Sequence, residues 1–197
     1  MLPYENAEVQ NWRKITEKLV KKHPLSPIIA DLCLKSWQSI LNEKINTYLN
    51  MKIGDMGISP QATGALLHDV IPAYIAKNVP GFRKGKGKEK DIVCENDDYF
   101  SLELKTSSQK SIFGNRSYAK SETGKSKSGY CLAVNFEKIA SANSRILRIQ
   151  FGWLDHTDWI GQQSETGQQA SLTKEARENK LMTLYESGET VSDKIER

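Results

Sequence analysis

The sequence predicts an α/β or α+β domain with a central mixed sheet of four to five strands flanked by helices. Three observations point there. Amphipathic stretches of helical period fill the chain up to about Asn78. Short apolar runs, bounded by turn residues, then replace them at Ile92–Cys94, Phe100–Leu104, Tyr130–Phe136 and Arg145–Leu154. At 197 residues the chain suits one well-buried domain, so 1–197 is expected as a single unit, with N-terminal helices over 1–50 and a core over 60–187.

The first helix is expected over 5–22, where Val9, Trp12, Ile15, Leu19 and Val20 recur at helical spacing up to His23-Pro24. Ser26-Pro27 reads as an N-cap with proline at the first helical position, opening a second helix to about Leu49. Its buried stripe is expected to include Leu32, Ser36, Ile40 and Ile45. Ser59-Pro60 repeats that start for a third helix, which Pro72 should kink or restart. FRKGKGKEK is expected to be flexible and exposed. Next, KDIVCENDDYFSLELKTS reads as a β-hairpin turning at Asn96 and Asp97, whose short side chains bond local backbone. A long polar loop follows Ser107. Tyr130–Phe136 suits a buried strand and Arg145–Leu154 an alternating one. The stretch 155–170 is a Gln-rich loop anchored by Trp159 and Ile160, and 171–187 is expected as a closing helix.

No apolar run reaches membrane-spanning length, and MLPYENAEVQNW lacks a signal-peptide pattern, so the cytoplasm is the expected location. Cys33, Cys94 and Cys131 are scattered among apolar neighbours without zinc or disulfide spacing, and read as small buried hydrophobes. The formal charge is only +4, but lysine and arginine concentrate between Arg83 and Lys127, around an acidic pair. That distribution suits a polyanion held around a metal, although for any single lysine a solvated loop residue is the commoner reading.

The chemistry centres on the hairpin. Glu103 and Lys105, two apart, leave the same face of a strand, and folding the hairpin brings Asp91 level with Leu102 and Glu103. Two carboxylates and an ammonium there can bind Mg²⁺ beside a phosphodiester, since Mg²⁺ takes oxygen ligands. Asp91, Glu103 and the Leu104 carbonyl would hold the metal, and Lys105 would face the attacking water or the phosphate. A cross-strand salt bridge would look the same by spacing alone.

KDIVC…FSLELKTS resembles the Asp…Glu-x-Lys signature of the PD-(D/E)XK nuclease superfamily. LLHDVIP, SIFGNRSYA, GKSKSGYCLAVNFEK and FGWLDHTDWIGQ…TGQQA resemble the type II restriction endonucleases of the ScaI type. One departure is Lys90, where the superfamily pattern names proline. The resemblance implies the restriction endonuclease-like core, Asp91 and Glu103 as metal ligands, and Lys105 as the catalytic lysine. It further implies a Mg²⁺-dependent homodimer that cuts both strands of double-stranded DNA at a short palindrome. A separate DNA methyltransferase would be a functional partner only.

Asp69 is a candidate accessory acid for the metal, against a solvent-facing acid before Pro72. His68 is a phosphate contact or a hydrogen-bonded core histidine. Ser107, Gln109, Lys110, Asn115, Arg116, Tyr118, Lys125 and Lys127 form one candidate DNA-binding loop, and His156, Gln162 and Gln168 a second. Arg and Asn read base edges well, while lysines more often hold phosphates. Arg116 stands open between the two roles. A structure-specific repair or recombination nuclease, or a non-catalytic DNA-binding module, are the alternatives. The first would need less base-reading machinery, and the intact Asp91, Glu103 and Lys105 argue against the second.

Overall fold

The computed structural model describes residues 2–46, 50–119, 128–164 and 166–188. Its helices are α1 (Val9–Lys22), α2 (Ile29–Asn42), α3 (Ile53–Met56), α4 (Pro60–Asn78) and α5 (Lys174–Asn179). A small pair, β1 (Lys44–Asn46) and β2 (Met51–Lys52), stands apart. The central sheet uses β3 (Phe82–Lys84), β4 (Ile92–Cys94), β5 (Leu102–Ser107), β7 (Gly129–Phe136), β8 (Ile146–Leu154) and β11 (Leu181–Glu186), in the order β11-β8-β7-β5-β4-β3. It is mixed, with β5 and β7 parallel and the other neighbours antiparallel. A second sheet, β6-β10-β9, joins β6 (Phe113–Asn115), β10 (Gln169–Leu172) and β9 (Trp159–Gly161).

Two apolar clusters cover opposite faces of the central sheet. One unites Val20, Trp37, Leu67 and Ile71 from α1, α2 and α4 with Leu102, Leu104, Leu132 and Phe151 from the strands. The other packs Tyr118, Trp159, Ala170 and Leu172 against Cys131, Ala133, Leu154 and Leu181. The α+β class with a mixed central sheet is as expected, but the sheet has six strands. The two additional edges come from stretches read otherwise in sequence. Phe82 buries itself at the head of the lysine-glycine segment and pairs with Cys94, so FRK forms β3.

The expected closing helix over 171–187 is wrong. Thr173 caps α5 through the Ala176 N–H, but α5 stops at Asn179. Lys180 then turns inward and is 2 % exposed. Its ammonium sits 2.8 Å from Asp158 and 3.4 Å from Asp155, over the rings of Tyr4 and Trp12. LMTLYE leaves this anchor as a strand along β8. Gly152 permits the approach, because a Cβ there would lie 1.9 Å from the Lys180 carbonyl.

Other boundaries shift for local reasons. Residues 24–28 form turns rather than a Ser26 cap, and α2 begins at Ile29. α2 ends at Asn42 instead of near Leu49, which lies outside the described residues. The beta-branched and amide residues beyond Asn42 are weak helix formers, and Ile45 is an exposed strand residue rather than part of a buried stripe. Ser59 caps α4 as expected. α4 runs unbroken past Pro72, which removes only the N–H that would bond the His68 carbonyl. β4 and β5 pair as predicted, yet their connection is longer than a tight turn. Asp97 caps a 3-10 turn, Asp98–Phe100, that takes Phe100 out of the strand. The stretches read as polar loops carry β6, β9 and β10, because Trp159 and Leu172 bury their side chains in the second cluster. All three cysteines are buried and free, and burial pushes Cys33 and Cys131 up to about 12. No described helix is long and apolar enough to cross a membrane.

His23 ties α1 to this hairpin. Its Nε2 donates to the Phe100 carbonyl at 2.9 Å, and its Nδ1 accepts from the Leu25 N–H at 3.1 Å. Burial lowers its pKa to about 4, against the Phe100 bond. A depressed histidine pKa contributes stability that is present above the unfolded value of about 6.5 and is lost as pH falls through 4. Urea unfolding should therefore show roughly 3 kcal/mol lost from pH 7 to pH 4 through this group. In a folded His23→Gln variant that loss over the same window should shrink; an unchanged pH slope would refute the assignment.

Candidate active site

β4 and β5 pair only at Ile92 and Leu102, and beyond that point the two strands part. The fork exposes one edge of β5 to Asp91. Its Oδ2 accepts the Leu104 N–H at 2.7 Å, in place of a strand partner. The Lys105 ammonium returns to the Leu104 carbonyl at 3.1 Å and stands 3.5 Å from Glu103 Oε2. The backbone of the single residue Leu104 thus meets the acidic group at its N–H and the basic group at its carbonyl oxygen. Alternation along β5 explains the rest. Leu102 and Leu104 enter the helix-side core, while Glu103 and Lys105 emerge on the other face beside Cys131 and Ala133.

The electrostatics are those of a site enclosed by protein. Burial, then the charge of Glu103, push the Asp91 carboxyl above its ordinary value, against the Leu104 N–H and Lys105. Burial pulls Lys105 down, but the Tyr118 and Glu103 side chains outweigh it and hold the ammonium above its usual range. Its side chain is only 12 % exposed. From α4, His68 Nδ1 lies 4.0 Å from Asp91 Oδ2. Burial lowers its pKa, and the nearby Asp91 carboxylate opposes that shift. Asp69, one residue on, is exposed and bound to Lys84. α4 packs close to β5, since a Cβ on Gly64 would lie 3.2 Å from Thr106 Oγ1. Lys90, at the position the superfamily gives to proline, donates to the Ser101 carbonyl at 3.2 Å.

The loop residues divide into those facing solvent and those tied into the protein. Gln109, Lys110, Asn115, Gln162 and Gln168 are exposed. Ser107 is buried, and its Oγ accepts the Gln109 N–H. His156 is half-buried in the 3-10 turn His156–Asp158. Arg116 opens the turn Arg116–Ala119, and its guanidinium donates to the carbonyls of Ser164 and Gly167 at 3.1 and 3.4 Å. Tyr118, read from sequence as a DNA contact, is buried instead. Its hydroxyl donates to Glu103 Oε2 at 3.3 Å, and Lys105 Nζ lies 4.8 Å above its ring. No spacing in the sequence signals that contact, which joins β5 to the turn Arg116–Ala119. Lys125 and Lys127 lie outside the described residues.

The ScaI restriction endonuclease family model matches residues 2–185. The chain is also 39% identical over 196 residues to "Type II restriction enzyme ScaI" of Streptomyces caespitosus, across 95% of this chain and 86% of that protein. The chain belongs to the ScaI restriction endonuclease family. Membership makes it a type II restriction endonuclease, a site-specific deoxyribonuclease. No solved structure matches the chain.

Type II restriction enzymes generally need a divalent metal, and the oxygen atoms of this cluster suit a hard one. Among the described residues no group of three acidic, histidine or cysteine side chains is placed to hold an ion. Asp91, Glu103 and the Leu104 carbonyl nevertheless form an all-oxygen set on adjoining backbone. Two carboxylates with water and phosphate completing the shell are enough for Mg²⁺, which keeps much of its water.

A carboxyl whose folded pKa is raised costs stability once ionised, above its unfolded value. In metal-free buffer at neutral pH, Asp91→Asn should therefore melt at or above the wild-type temperature, since the amide oxygen still accepts the Leu104 N–H. A clear drop in melting temperature would show that ionised Asp91 stabilises the fold.

Proposed function

We propose that the chain is a single nuclease domain acting as a homodimer, which cuts both strands of double-stranded DNA at a short palindromic site with Mg²⁺. The observation that carries this reading is the convergence of Asp91, Glu103 and Lys105 around the backbone of Leu104. Asp91, Glu103 and the Leu104 carbonyl are the proposed metal ligands, with Asp69 as an accessory acid only if Lys84 releases it. Bound there, Mg²⁺ would supply charge to a phosphate oxygen and acidify water.

The protein groups have separable tasks. Water adds its oxygen to phosphorus, the bond to the leaving sugar oxygen breaks, and that oxygen takes a proton. Lys105, enclosed beside Glu103 and the Leu104 carbonyl, donates hydrogen bonds to the phosphate and orients the water. Glu103 holds Lys105 on the site side of β5. Gln109, Lys110, Asn115, Gln162 and Gln168 are exposed and serve as DNA contacts together with Arg116, Ser107 and His156; Lys125 and Lys127, outside the described residues, join them as proposed contacts on their sequence alone. A homodimer suits a palindrome because both share a two-fold axis. The enzyme would act in the cytoplasm, where a separate methyltransferase guards the host's own sites.

Incubation of the purified protein with plasmid and Mg²⁺ should yield discrete fragments. A smear, or cleavage of branched DNA alone, would favour a structure-specific nuclease instead. Lys105→Ala should reduce cutting by about 10²- to 10³-fold or more while retaining metal-independent DNA binding. Cutting at the wild-type rate by that variant would remove Lys105 from the chemistry.

A further inference from the structure

One short turn touches both the cutting cluster and the loops proposed to meet DNA. In Arg116–Ala119, the Arg116 N–H donates to the Gln168 carbonyl at 2.6 Å, and its guanidinium holds the Ser164 and Gly167 carbonyls. Two residues on, Tyr118 reaches Glu103 through its hydroxyl and lies under Lys105 through its ring. The space around the turn is filled. Trp159, on β9, packs on the Tyr118 ring with centroids 5.3 Å apart. A Cβ on Gly114 would come within 3.0 Å of the Trp159 ring, and one on Gly161 within 3.2 Å of Arg116 Cγ. Close-packed groups of this kind pass on a displacement instead of absorbing it. A shift of Ser164, Gly167 or Gln168 would therefore reach Tyr118 through Arg116, and a shift of Gln162 through β9.

We propose that Tyr118 is a positioning residue, through which engagement of the 162–168 loop and Arg116 by the correct DNA sets Glu103 and Lys105 for hydrolysis. Its hydroxyl orients a carboxylate that would hold the metal, and such outer partners typically govern about 10- to 100-fold in activity. On incorrect DNA the loop would not be drawn in, Tyr118 would not be brought to its working position, and cutting would stay slow although the protein is bound. Fidelity would thus reside partly in the catalytic step, beyond what affinity for the site supplies.

This inference rests on the nuclease reading above, and the two fail in different places. The wild type first defines its own cut site on plasmid DNA. Tyr118→Phe, which removes only the hydroxyl, is then compared with it at saturating enzyme on a duplex carrying that site and on duplexes altered at one base. With Mg²⁺ the variant's single-turnover rate at the correct site should fall about 10- to 100-fold, and its rate at altered sites should fall less, so discrimination narrows. Binding of the correct duplex in Ca²⁺ and the melting temperature should stay at wild-type values. Gly161→Ala, which presses on Arg116 from the far end, should narrow discrimination in the same direction. An unchanged correct-site rate in Tyr118→Phe, or an equal fall at correct and altered sites in both variants, overturns the proposal. Should the wild type cut no DNA, the nuclease reading falls and the coupling with it.

Discussion

Everything at the site depends on β5 lying between two cores. Its parallel pairing with β7 fixes the register Glu103 to Cys131 and Lys105 to Ala133. Leu102 and Leu104 are fully buried against the helices. With those two leucines locked, strand alternation leaves Glu103 and Lys105 no choice of face. A one-residue slip would put two charges into the helix-side core, at a cost no local rearrangement offsets. The apolar packing of the domain is thus also what aims its polar residues.

The second requirement is a gap in the sheet, supplied by the parting of β4 and β5. A continued ladder would occupy the Leu104 N–H and carbonyl with backbone. At the fork the N–H meets the Asp91 carboxylate and the carbonyl meets the Lys105 ammonium. The arrangement keeps like charges close together in a partly desolvated place, which is why the Asp91 carboxyl is pushed up. A cation between the carboxylates would relieve that repulsion.

The second sheet and the buried Lys180 cluster show how distant chain segments are locked around this centre. Lys180 joins Asp155 and Asp158, at the head of β9, to Tyr4 and Trp12 from the N-terminal segment. Asp158 is pushed up by burial and drawn back by Lys180, so the pair is held by mutual need rather than by large net gain. The consequence is positional. The β9–β10 hairpin, with the 162–168 loop at its tip, is anchored at its base to the same residues that end α5.

The sequence by itself determined the strands at the centre of the sheet and which side chains share a face. That Glu103 and Lys105 leave β5 together, with Asp91 beside them, was legible because strand alternation is a local rule, and Ile92, Leu102 and Leu104 mark the phase. The first and third helices and the Ser59 cap were legible for the same reason. Tertiary structure decided what non-local partners decide. LMTLYE became a strand because β8 offered an open edge and Lys180 was pulled inward, neither of which shows in a helical-looking run of leucines. Polar stretches around Phe113, Trp159 and Leu172 became a second sheet because single apolar side chains found a shared core. Tyr118 turned from an expected DNA contact into the support beneath Glu103 and Lys105. Residues 15 apart in the chain were brought together between β5 and the turn Arg116–Ala119, and contact between such residues is a product of packing, which no spacing encodes.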